Sequence, residues 1–266
     1  MMFPTFPGVK SCGLDDQAPR CFARRASHGQ HSASVPIKRS GPPIADGPLT
    51  MCFSATASFS ASAVLVGLGS LAWQAAPTRR DLPFAAIPLL FAGQQLIEGL
   101  LWLSFDSGAT GLQGALTAGY AFFSQVFWPV YVPLAVLLLE PSAAHRRGLR
   151  LLLAIGAAVS AWLLWQTLAH GVTSRPSGAH IEYVTSGSMA TLATALYVLV
   201  TAASLLLSTL PAVKLFGAAT LLAFVVTYVV YAEWLVSVWC WFEAVLSVLV
   251  LLHFKVGRQR PRNAAA

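Results

Sequence analysis

Residues 215–254 read LFGAATLLAFVVTYVVYAEWLVSVWCWFEAVLSVLVLLHF, and Glu233 and Glu243 are the charged residues in that stretch. As one continuous helix, residues 212–254 would extend about 65 Å at 1.5 Å per residue. That is roughly twice the hydrocarbon thickness of a bilayer. The stretch therefore reads as two spans, Leu215–Tyr231 and Leu235–Phe254, joined at Ala232, Glu233 and Trp234. Composition agrees. Of 266 residues, 56% are apolar and 10% charged, whereas a soluble domain carries about a quarter charged residues. The polar atoms left over cannot cover a soluble globule of this size.

The same length criterion finds five further spans upstream: Ala55–Trp73, Phe84–Ser104, Leu116–Leu139, Leu149–Leu168 and Met189–Leu207. The expected fold class is all-α, a polytopic integral membrane bundle of seven transmembrane helices at residues 51–254. Its surroundings are the lipid bilayer of the cell membrane. Trp73, Trp102, Trp128, Trp162, Trp165, Trp234, Trp239 and Trp241 mostly fall near span ends. An interfacial belt has that pattern, and anchoring or packing is the plain reading for most of them.

The net charge of +7 invites a nucleic-acid reading, which its distribution opposes. The basic residues lie between apolar runs and at the two ends, with no basic face carrying interleaved aromatics. With seven spans, one side collects Arg79, Arg80, Arg146, Arg147, Arg150, Lys214, Lys255, Arg258, Arg260 and Arg262. The other collects Arg175, once residues 1–50 are set aside. This asymmetry predicts a cytoplasmic C-terminus, with residues 255–266 a basic tail, and an external Met51 end.

Residues 1–50 have a different texture. They hold Pro4, Pro7, Pro19, Pro36, Pro42, Pro43 and Pro48 and the cations Lys10, Arg20, Arg24, Arg25, Lys38 and Arg39. They contain no apolar core of a signal peptide and read as disordered. They are either a basic extension or a start-site error upstream of Met51. An extension would load the outer face with cations and nothing to export them, which favours the second reading. Cys12, Cys21, Cys52 and Cys240 form no close pair, so neither a zinc knuckle nor a disulfide framework is expected.

The block Met51-Cys52-Phe53-Ser54-Ala55-Thr56-Ala57-Ser58-Phe59 resembles the start of an uncharacterised family of bacterial multi-span proteins. The run Leu89 to Gly99 (LLFAGQQLIEG), followed by Trp102, looks like that family's second-span motif. Ser237-Val238-Trp239-Cys240-Trp241-Phe242 is similar to its last-span motif. The resemblance covers roughly residues 51–254 and implies a start at Met51. It implies no catalytic assignment.

Ionisable groups inside a span are costly and mark function by default. Glu98 in the second span and Glu243 in the seventh are both expected about 9–12 Å below the outer boundary. Gln125 in the third span shares that level. Gln94 and Gln95 lie four and three residues from Glu98 and share its face, while Leu96, Leu100 and Leu103 occupy the other sides. Tyr197, Thr227 and Tyr228 reach the same outer half. The candidate ligand-binding set is Glu98, Gln94, Gln95, Gln125, Glu243, Tyr228 and His180, forming an outward-facing polar pocket. The structural alternative is a network in which a protonated Glu bonds Gln or Tyr across helices, for about 0.6–2 kcal/mol.

No metal or cofactor is expected. Cys240 and Glu243, with Glu98 and His180, supply ligand types that zinc or copper accepts, but their spacing is not diagnostic. A buried lone cysteine is usually a small apolar packer. The longest outer connection, His170–Gly187, could lid the pocket. A solvated connector is expected for His170 and Arg175, whereas Ile181 and Val184 would fold His180 and Tyr183 onto the helices.

No Lys lies inside a span, which excludes a retinal Schiff base, and no His lies mid-span. P-loop and dinucleotide fingerprints are absent. Three function classes remain. The first is small-solute or ion transport, or ligand binding, through the polar pocket. The second is a membrane sensor or accessory subunit. The last is a membrane-embedded lipid-acting enzyme using Glu98 and Glu243 as acid and base, which lacks a visible nucleophile or metal triad. The balance leans away from an enzyme.

Overall fold

The computed structural model describes residues 54–185, 191–231 and 234–263, all within the compact unit Asp46–Ala266. The expectations placed on residues 1–50, on Cys12, Cys21 and Cys52, and on Glu233 lie outside the described residues. The helices are α1 Ala55–Ala75, α2 Leu82–Ala85, α3 Ile87–Ser107, α4 Thr110–Ala121, α5 Trp128–Leu139, α6 Ala143–His170, α7 Thr191–Leu206, α8 Pro211–Val230, α9 Leu235–Leu246 and α10 Val248–Asn263. Between α6 and α7 lie strands β1 Val172–Ser177 and β2 His180–Thr185.

Among the described residues, six stretches are long and apolar enough to cross a membrane: Ala55–Ala75, Leu82–Phe105, Thr110–Leu139, Ala143–His170, Pro211–Val230 and Leu235–Lys255. Leu192–Leu206 is a shorter apolar helix. The seven expected spans thus appear as six long helical stretches and one short one. The third starts at Thr110 instead of Leu116, and the fourth at Ala143 instead of Leu149. Arg146, Arg147 and Arg150 therefore occupy the first two turns of α6, not a loop, and Lys214 sits in the first turn of α8. Cations there oppose the helix dipole, so helix electrostatics give no reason for their placement. Likewise α10 runs to Asn263, so the expected tail from residue 255 continues the last helix.

Helix α3 is central and packs against α1, α4 and α9. Helix α5 packs on α6 and α7, α7 on α8, and α8 on α9 and α10, while α10 returns to α1. The inward bias follows. In the most apolar window of the second, third and seventh stretches 61%, 50% and 44% of residues are buried, against 28%, 22% and 28% in the first, fourth and sixth. The helices that carry Glu98, Gln125 and Glu243 are the inner ones.

The third stretch is not a uniform α-helix. Residues Phe122–Phe127 form a π-helical segment between α4 and α5, just ahead of Pro129 and with Pro133 inside α5. Proline has no N–H to give the carbonyl four residues back, and a π segment shifts the local pairing. The carbonyls loosened here find partners on other helices. Ser160 Oγ donates to Val126 O at 2.6 Å, and Tyr197 Oη donates to Ser124 O at 2.7 Å. Gly156 of α6 lies so close to α5 that a Cβ would overlap the Pro129 carbonyl oxygen. Backbone contact without a side chain between helices is the use made of Gly here.

A carboxylate ties two turns at the end of the bundle opposite the hairpin. Glu140, buried just past α5, accepts from Ser142 N (3.1 Å), Ser208 Oγ (2.9 Å), Thr209 N (2.8 Å) and Thr209 Oγ1 (2.7 Å). Burial works against its ionisation, but the hydrogen bonds from Thr209, Ser142 and Ser208 outweigh it and lower its pKa below the ordinary 4.5.

The connection after α6 is an antiparallel hairpin in the register Val172↔Thr185 to Ser177↔His180. Its two-residue turn has Gly178 at φ 61°, while Ala179 keeps negative φ, the signature of a type II′ turn. Arg175, expected to be a solvated connector, pairs with Glu182 at 2.8 and 3.0 Å. That contact lowers the Glu182 pKa and raises that of Arg175.

Candidate functional site

Helix α3 presents its polar face inward. Gln94, Gln95 and Glu98 are buried, whereas Leu96, Leu100 and Leu103 are exposed, as the helical phase of the sequence requires. Glu98 accepts from Ser237 Oγ of α9 at 2.6 Å and from Gln95 Nε2 at 3.2 Å. Trp128 Nε1 of α5 donates to Gln94 Oε1 at 3.0 Å, and its ring stacks on Phe91 with centroids 4.2 Å apart.

The hairpin closes this cluster from one end. Ser174 of β1 is tied to α4 through Thr117 (Oγ1···Oγ 2.6 Å) and through Gln113 Nε2, which donates to the Ser174 carbonyl at 3.2 Å. Ile181 is buried, and Tyr183 of β2 stacks on fully buried Tyr120 of α4, with centroids 4.6 Å apart and planes 6° from parallel. Val184, expected to fold inward with Ile181, is exposed, because it falls on the opposite face of the strand from Tyr183. His180 stacks on Trp234 at the mouth of α9, with centroids 4.5 Å apart. Burial there lowers its pKa below the ordinary 6.5. Burial also raises the Tyr183 hydroxyl well above its ordinary 10.0, with the Glu98 charge adding to the rise.

The hydroxyls of Tyr120 and Tyr183 lie within electrostatic reach of the Glu98 carboxyl, and Tyr120 is the nearer. Tyr120 also lies within interaction range of Gln94 and Cys240, but among the described residues neither hydroxyl completes a hydrogen bond of good geometry. Gln94 Nε2 and Gln95 Oε1 are also buried and complete no hydrogen bond of good geometry among the described residues. Buried polar atoms are nearly always satisfied in native structures. These four side chains cluster near the Glu98 carboxyl with hydrogen-bonding capacity not fully used.

Glu243 lies one helical turn beyond Cys240 on α9. Thr220 Oγ1 of α8 donates to its carboxylate at 2.9 Å, and Trp239 Nε1 donates at 3.1 Å. Glu243 lines a small, almost wholly apolar cavity of about 40 Å³. Phe91, Trp128, Tyr197, Phe216 and Trp239 supply ring surface to the walls. Gln125, from the π segment, lines a separate small cavity on the other side of Trp239.

The expected single pocket is therefore divided. Glu243 and Gln125 line two separate small cavities, both bordered by buried Cys240; Glu98 lines neither and sits in packed polar surroundings within electrostatic reach of the Cys240 thiol. Tyr228 joins none of them. It is exposed and stacks on Phe224, because the inward stripe of α8 runs through Phe216, Thr220, Ala223 and Thr227, one residue out of phase with it. The weak metal candidates, Cys240 and Glu243, gain no third ligand. Among the described residues, no three His, Cys, Asp or Glu side chains converge.

Sequence reasoning missed Ser237, Tyr120, Thr220 and the hydrogen bonds of Trp128 and Trp239. Ser and Trp are cheap in apolar helices, so nothing in their residue type sets these apart. The recurrent spacing Ser237, Cys240, Ala244 of small residues on α9 was the available sign of an inner face.

A family model described as a family of unknown function (DUF6629) matches residues 51–266. No curated protein and no solved structure matches the chain.

Proposed function

The chain belongs to that family of unknown function, and from its geometry we propose that it is a multi-pass protein of the cell membrane that binds a small polar or cationic solute at Glu98. The hairpin side faces outward and the basic helix starts face the cytoplasm, in keeping with the Lys/Arg asymmetry. The observation that carries the reading is the buried Glu98 carboxyl in a polar cluster whose Gln94 Nε2, Gln95 Oε1 and Tyr120 and Tyr183 hydroxyls complete no hydrogen bond of good geometry among the described residues. A purely structural network would close on itself, since an unmade buried hydrogen bond costs about 1–3 kcal/mol. A solute carrying both donors and an acceptor, or a cation with its water, completes this one. Transport of that solute is the natural use of such a site between inner helices.

The test is a thermal-stability panel on the purified full chain in detergent, with monovalent cations, primary amines and amino acids as probes. A probe that binds the folded state raises its melting temperature. At least one class is expected to stabilise the parent and not Glu98→Gln, a variant that keeps size and hydrogen-bonding capacity. A panel without effect, or equal effects on both proteins, leaves Glu98 as a structural strut and refutes the reading.

A further inference from the structure

A second site lies on the other side of Cys240. We propose that the cavity at Glu243 binds a small alkylated ammonium cation, independently of the Glu98 cluster. The chemistry of the walls selects the ligand. Among the described residues that line the cavity, Glu243 is the one with a formally charged side chain, and the lining is almost wholly apolar or aromatic. Its hydrogen-bond partners, Thr220 and Trp239, are neutral donors. Among the described residues, no Lys, Arg or His forms an ion pair with it. A carboxylate offers about four lone-pair sites, so two donors leave it with capacity for a further partner.

Three ligand classes compete for such a carboxylate. A divalent metal ion needs several oxygen, nitrogen or sulfur ligands, and no three ligand side chains converge among the described residues. A small inorganic monovalent ion would exchange its hydration shell for hydrocarbon and ring carbon, which return little of that energy. An alkylated ammonium gives up far less hydration and is attracted to the electron-rich faces of Trp, Tyr and Phe. Phe91, Trp128, Tyr197, Phe216 and Trp239 line the same cavity as Glu243, an aromatic wall that suits this class. The room available limits the ligand to a few heavy atoms.

The cavity also has a direction. From Glu243 and Cys240 its lining runs to Ile87 at the start of α3 and to Leu205 in the last turn of α7. It thus extends from the level of Glu243 towards the end of the bundle that carries Arg79, Arg80 and Lys214. The Glu98 cluster lies towards the hairpin. The ammonium site is consequently the deeper of the two when viewed from the hairpin side.

Calorimetric titration of the purified full chain with tetramethylammonium chloride tests this, with sodium chloride at matched ionic strength as the comparison. Saturable binding of tetramethylammonium and none of sodium is expected. Glu243→Gln is expected to weaken binding by about tenfold or more, the scale of losing a desolvated charge contact. Glu182→Gln, which removes an exposed carboxylate of the hairpin, should leave it unchanged. The proposal is overturned if the folded parent shows no saturation, if sodium binds equally well, or if Glu243→Gln binds like the parent. The first two comparisons use the unmodified chain, so a folding defect in Glu243→Gln does not shield the proposal.

Discussion

Replacing Gly156 by Ala measures how tightly α6 is seated on the bent third stretch. An added Cβ would overlap the Pro129 carbonyl oxygen, approach the Pro129 carbonyl carbon to 2.9 Å and come within 3.0 Å of Val200 Cγ1. Two of these contacts are backbone atoms of α5, which cannot rotate aside as a side-chain end would. The helices must separate, and overpacking of this kind costs about 1–3 kcal/mol. Separation also strains the Ser160–Val126 bond, one turn along α6, which adds up to about 1 kcal/mol. Ala is the better helix former by about 0.8–1 kcal/mol, which offsets part of the loss. A net destabilisation of about 1–3 kcal/mol is expected, read as a shifted midpoint in equilibrium unfolding in mixed detergent micelles. Gly67→Ala is the control, because nothing lies within 4 Å of a Cβ at that position. It should be neutral or stabilising by up to about 1 kcal/mol. A Gly156→Ala protein as stable as the parent, or one shifted equally with Gly67→Ala, would refute the close-approach argument.

Glu140→Gln should lower stability by about 2 kcal/mol near neutral pH, the scale of hydrogen bonds to a charged group. Because the folded pKa of Glu140 lies below its ordinary 4.5, the advantage of the parent over the variant is complete above that value. It should shrink as pH falls through the lower folded value, which paired unfolding curves would record. An advantage unchanged in acid would show that Glu140 works without its charge. Thr117→Val removes a tie between α4 and the hairpin and should speed amide exchange across residues 172–185 by about tenfold, leaving α3 unchanged. A reporter fused after Arg262 should read cytoplasmic and a label inserted at Gly178 external; the reverse would invert the proposed orientation.

The apolar stretches were legible because a long helix of uninterrupted hydrocarbon has few other uses. The inward turn of Glu98 was legible because Gln94, Gln95 and Glu98 share one helical face while three leucines populate the rest. The same periodic logic failed where phase mattered by a single residue. Thr227 and Tyr228 lie at one depth, but only Thr227 belongs to the buried stripe of α8. In the third stretch the π segment changes the phase ahead of Trp128, so Gln125 faces a compartment of its own. The hairpin was hidden for another reason. Its strands pair mainly with each other and rest one face on α4 and α9, so Val172–Thr185 carries little of the apolar alternation that advertises a strand. The partnership of Ser237 with Glu98 depends on tertiary proximity alone.

That partnership has a consequence for biogenesis. Ser237 follows Glu98 by 139 residues, so a chain emerging from the ribosome commits α3 to the bilayer long before α9 exists. On the proposed membrane reading, Gln94, Gln95 and Glu98 must wait in or beside lipid until the last pair of helices arrives. A polar trio of this kind weakens the spontaneous partitioning of its own segment. Nascent chains truncated before residue 235 should therefore be held at the insertion machinery or degraded, and α3 should be released into the bilayer only as the C-terminal helices dock.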